Sequence, residues 1–158
     1  MKHELILLRD EIEEELANIA ELKRSVSEIT SQELSNEVEK RVTASLLNDF
    51  YLAAERIFKR IAKELDGSMP EGEEWHKTLL RQMSVDLPEV RPYVINKVLY
   101  TKLEEYLKFR HLVRNIYGFQ LDYRRFRHLV NELDNVSEEF ENQVLHFLNI
   151  MTNIASSY

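Results

Sequence analysis

Apolar residues recur along most of this chain at steps of three and four, the spacing that puts them on one side of an α-helix. In the first stretch Leu5, Leu8, Ile12, Leu16, Ile19, Leu22, Val26 and Ile29 keep this rhythm. A second stretch steps by fours through Leu34, Val38, Val42, Leu46, Phe50, Ala54, Ile57, Ile61 and Leu65, with Ser31 or Ser35 placed to cap it. A short helix is expected from Glu73 to about Val85 and another from Val94 to Tyr117. The final stretch carries Phe126, Leu129, Leu133, Val136, Phe140, Val144, Phe147, Met151 and Ile154. Within it Asn135 followed by Glu138 resembles a capping box, which allows a break at that point. No alternating strand pattern of useful length appears. The pattern predicts an all-α fold, an antiparallel bundle of about five helices forming a single domain over residues 1–158.

Punctuation agrees with this pattern. Only three Gly and three Pro occur, and they fall in three places: Gly67, Pro70 and Gly72; Pro88 and Pro92; and Gly118. With 44% hydrophobic and 31% charged residues the composition is that of a soluble globular protein. No cysteine is present, so thiolate chemistry and disulfides are excluded. The apolar run Leu5–Leu8 ends at Arg9-Asp10-Glu11, too early for a signal peptide, and no segment approaches the roughly 20 apolar residues of a membrane span. A cytoplasmic protein with no membrane partner is expected.

Charge is unevenly spread. The formal net charge is −7, yet Lys108, Arg110, Arg114, Arg124, Arg125 and Arg127, with His111 and His128, face only Asp122 between residues 108 and 128. A basic patch on an acidic body suggests a specific polyanion site rather than general nucleic-acid coating. On the fourth helix Leu99, Leu103, Tyr106, Arg110, Arg114 and Tyr117 share one stripe, apolar at first and then Arg, Arg, Tyr. Such a stripe, running from apolar to basic, suits an isologous dimer contact. A second face, Phe109, Leu112, Val113 and Ile116, is expected to meet the core. His111 and Asn115 lie i, i+4 on the flank of the arginines. The competing reading is an ion-paired helix, with Glu104 and Glu105 as partners of the arginines.

Arg110-His111-Leu112-Val113-Arg114-Asn115-Ile116-Tyr117 resembles the signature of the HEPN superfamily, in particular the HepT-like ribonuclease toxins. Leu47-Asn48-Asp49-Phe50-Tyr51, Glu55-Arg56-Ile57-Phe58, Gly72-Glu73-Glu74-Trp75-His76 and Tyr117-Gly118-Phe119-Gln120-Leu121-Asp122 follow the family in the same order. The resemblance implies a homodimeric, metal-independent endoribonuclease without cofactor, its RNA site shared by two protomers. It also implies a minimal nucleotidyltransferase antitoxin as partner, which would place AMP on Tyr117. Arg110, His111 and Asn115 are then the candidate catalytic residues, and Arg110 and Arg114 the phosphate-binding pair. One position departs from the family: aligned on Arg110 and Tyr117, its histidine is Asn115 here, which cannot act as a base. Either His111 takes over that role or the protein binds RNA, or a nucleotide, without efficient cleavage. A third reading is a helical interaction module whose arginine stripe holds a dimer together.

Other chemistry finds little support in the sequence. Glu73-Glu74-Trp75-His76 contains Glu-x-x-His, but a di-iron bundle site needs a second copy and further inward glutamates. His76 is expected to be a packing or loop-fixing residue, and His128 and His146 to be structural. No metal site is expected.

Overall fold

The computed structural model describes residues 2–32, 34, 36–115 and 121–158. Among them are five α-helices: α1 (Lys2–Thr30), α2 (Glu37–Ile61), α3 (Trp75–Met83), α4 (Lys97–Asn115) and α5 (Tyr123–Ser156). The chain is all-α as expected, and its only strand-like feature among the described residues is a single bridge between Leu87 and Arg91. No helix among these residues is long and apolar enough to cross a membrane.

Helix α2 is the centre of the assembly, packing on α1, α3, α4 and α5. Its buried face runs through Ala44, Leu47, Phe50, Tyr51, Ala54, Ile57, Phe58 and Ile61. Val38 and Val42, expected on that face, are exposed. The reason is geometric: strict steps of four overrun the 3.6-residue turn and drift around the helix. Asn36 caps α2, its side chain accepting from the Glu39 amide at 2.9 Å; of the expected serine caps, Ser31 does not take this role and Ser35 lies outside the described residues. At its other end α2 widens into a π-helical turn (Ala62–Asp66), closed by Gly67 at φ 70°.

The Asp66 carboxylate at the end of that turn fastens the loop between α3 and α4. It accepts from Arg91 Nε at 2.6 Å and Nη2 at 2.8 Å, and from Gln82 Nε2 at 2.6 Å. Arg91 also donates Nη1 to the carbonyls of Val85 and Pro92, and Nη2 to that of Gln82. All five N–H donors of this buried guanidinium are therefore used. Asn96 then starts α4, its side chain accepting from the Leu99 amide at 2.8 Å, while Gln143 of α5 accepts from the Asn96 amide at 2.8 Å.

Two further expectations are corrected. α5 is unbroken: the Asn135–Glu138 capping pattern lies inside it, because Phe126, Leu129, Leu133, Val136, Phe140, Val144 and Phe147 keep one face buried through that point. Leu99, Leu103 and Tyr106, read as part of a surface stripe, are core residues of the protomer itself.

Candidate functional site

The basic end of α4 is held against the start of α5 by ring contacts. Phe109 stacks on Phe126 with centroids 5.0 Å apart, and Tyr123 meets Phe126 edge-on at 5.0 Å. Tyr106 adds a second link, its buried hydroxyl donating to the Leu129 carbonyl at 2.6 Å. The last turn of α4 and the first turn of α5 are thereby brought to one end of the bundle, carrying arginines from both.

Arg114, Arg125 and Arg127 are exposed and form no ion pair among the described residues. Arg127 instead lies over the Tyr123 ring at 5.4 Å. Arg124 is occupied: its side chain and backbone N–H both bind Asp122, holding that carboxyl below its usual range. The ion-paired reading of α4 fails for Arg110. Glu105 takes Lys108 at 3.4 Å, and Glu104 accepts from the Tyr100 hydroxyl at 3.2 Å. Arg110 is half-buried, with its Nε shielded from solvent and without a partner.

His111 and Asn115 are both exposed. Asn115 donates Nδ2 to the His111 carbonyl at 2.7 Å, satisfying one of the carbonyls left open at a helix end. Of the expected core face of α4, Phe109 is buried and Val113 partly so, whereas Leu112 is exposed. Ile116 and the candidate modification residue Tyr117 lie outside the described residues.

Three residues of α2 belong to this region and were missed as site residues. Asn48, Tyr51 and Glu55 lie at i, i+3 and i+7 of α2, which packs on α3 and α4. Glu55 is 2% exposed and accepts from, or shares a proton with, His76 Nδ1 at 2.7 Å. His76 is thus the loop-fixing residue expected, tying α3 to α2. Tyr51 is fully buried; burial raises its pKa well above the ordinary phenol value, Glu55 adds to this, and the Arg110 charge opposes it. A polar series at helical spacing within an apolar stripe was the available sequence signal. His128 and His146, read as structural, are exposed and make no such contact.

This arrangement gives half-buried and free guanidinium groups beside an exposed imidazole, the equipment for holding a phosphodiester. A family model described as HepT-like protein matches residues 42–151, which include α3, α4 and most of α2 and α5. The chain belongs to the HepT-like family, within the HEPN superfamily. No curated protein and no solved structure matches it.

Proposed function

We propose that this chain is the toxin of a toxin–antitoxin pair, a metal-independent endoribonuclease that acts as a homodimer. The observation that carries the reading is Arg110: a cation drawn half into the protein, given no carboxylate, and flanked by the free Arg114. A buried cation left unpaired is costly, and an anionic ligand compensates it.

In the proposed reaction an imidazole accepts the proton of the RNA 2′-hydroxyl as O2′ attacks phosphorus. The P–O5′ bond breaks, leaving a 2′,3′-cyclic phosphate and a 5′-hydroxyl that takes up a proton. Arg110 and Arg114 stabilise the charge gathering on the phosphoryl oxygens. His111, exposed beside Arg110, is the base in this reading. Asn115 is engaged with a helix carbonyl and contributes a polar amide at most. That engagement favours a second reading, RNA or nucleotide binding without cleavage.

A minimal nucleotidyltransferase is the proposed antitoxin, adding AMP to Tyr117. Added bulk and negative charge three residues along the chain from Arg114 would oppose RNA by sterics and repulsion.

The deciding experiment is RNA cleavage by purified protein in EDTA. Cleavage should persist in the wild type, be abolished in Arg110→Ala and fall strongly in His111→Ala. Full activity of Arg110→Ala refutes the site. Binding of RNA with no cleavage selects the second reading. Light scattering showing a monomer at micromolar concentration removes the shared dimeric site.

A further inference from the structure

Arg91 and Arg110 both carry their guanidinium groups into the protein, but they end differently. Every donor of Arg91 has an acceptor, whereas the Arg110 Nε–H is shielded from water and meets none. Two other side-chain atoms among the described residues are in the same condition, Asn48 Oδ1 and Tyr51 Oη. Both belong to α2, which packs on α4, and they lie one turn apart. Tyr51 lies within electrostatic reach of Arg110. A shielded polar atom without a partner is rare, and these three are complementary. Arg110 Nε–H needs an acceptor, Asn48 Oδ1 is an acceptor lacking a donor, and the Tyr51 hydroxyl can serve as either.

We propose that Asn48 and Tyr51 are positioning residues for Arg110, and that a relay, Arg110 Nε–H donating to the Tyr51 hydroxyl and that hydroxyl donating to Asn48 Oδ1, is completed when a phosphodiester engages the outer Nη edge. The guanidinium is a rigid planar fork. A phosphate held by Nη1 and Nη2 fixes that plane, and fixing the plane fixes the direction of Nε–H. The inner hydrogen bonds are then made in the loaded site and not in the empty one. Phosphate affinity therefore depends on two residues that never touch phosphate. This inference rests on reading Arg110 as the phosphate-binding cation, and its test needs no cleavage.

The probe is a 2′-O-methyl RNA oligonucleotide, which keeps the phosphodiesters and lacks the nucleophile. Full-length protein labelled with ¹⁵N at arginine Nε is titrated by NMR, the Arg110 signal being identified by its loss in Arg110→Lys. In the wild type the oligonucleotide should shift this signal and slow its exchange with water. In Tyr51→Phe and Asn48→Leu the response should shrink, with binding weaker by about two- to tenfold for each lost bond. Asn48→Ser, which keeps an uncharged acceptor and adds no carboxylate beside Arg110, should lose less of the response than Asn48→Leu. Thermal melts of each variant check folding, and the near-isosteric Tyr51→Phe keeps the test open if Asn48→Leu does not fold. Unchanged affinity and an unchanged Nε response in Tyr51→Phe overturn the proposal and leave the Arg110 site standing. No oligonucleotide binding by the wild type removes the reading of Arg110, and this proposal with it.

Discussion

Tyr51→Phe should make the protein more stable, an unusual outcome for a substitution deep in a core. The change removes one oxygen atom and leaves the ring packing of a fully buried residue intact. That oxygen has no hydrogen-bond partner among the described residues. A hydroxyl buried without a partner costs about 1–3 kcal/mol, and phenylalanine returns that cost. For a chain of this length each kcal/mol moves the melting temperature by about 2–4 °C, so a rise of several degrees is expected. Tyr106→Phe is the internal control. It makes the same chemical change at another fully buried tyrosine, but the Tyr106 hydroxyl donates to the Leu129 carbonyl at 2.6 Å. Losing that bond should cost about 0.5–1.5 kcal/mol. Urea and thermal melts of the two variants should thus move in opposite directions. A Tyr51→Phe protein less stable than the wild type shows that the hydroxyl is bonded in the free fold and refutes the argument. If stability rises while oligonucleotide binding falls, Tyr51 is kept for function at the expense of stability.

Three more outcomes are expected, two from the structure and the third from the proposed function. Arg91→Ala strands the Asp66 carboxylate, whose side chain is 2% exposed, and should cost about 3–5 kcal/mol in urea unfolding; a loss below 1 kcal/mol contradicts the clasp. Burial holds both the Tyr51 and Tyr106 phenols protonated above the ordinary range, so their contribution is intact below about pH 10 and declines as the pH rises further. Ultraviolet titration should find these two silent until the chain unfolds, and simultaneous ionisation of all seven tyrosines in the folded protein speaks against it. Co-expression with a minimal nucleotidyltransferase should leave AMP on Tyr117, and Tyr117→Phe should escape neutralisation; an adduct mapped elsewhere by mass spectrometry rejects the switch.

The helices were legible because few glycines and prolines interrupt a strong apolar rhythm, which also placed most of the core of α1 and α5. Depth was harder to read. Leu99, Leu103 and Tyr106 share a stripe with Arg110, and periodicity alone cannot say where along that stripe the protein ends and water begins. The Asn135 pattern misled for a related reason: a capping box is a local preference, and the burial of α5 on either side outweighs it. Arg110, His111, Arg114 and Asn115 stand together as their spacing on one helix requires. Asn48, Tyr51 and Glu55 were passed over because a polar residue in an apolar stripe declares itself only when the opposing helix is known. Arg110 comes from a helix some sixty residues further along the chain.

The stacking of Trp75 on His76, with ring centroids 3.6 Å apart, gives the protein an optical reporter of its own. Trp75 is the sole tryptophan, so intrinsic fluorescence comes from one place. That indole also has the Lys59 ammonium 4.6 Å from its centre, and its neighbouring imidazole is bound to the buried Glu55. Emission from Trp75 will register any parting of α3 from α2. Unfolding at this junction can be followed at one residue, with no dye attached and no cysteine introduced.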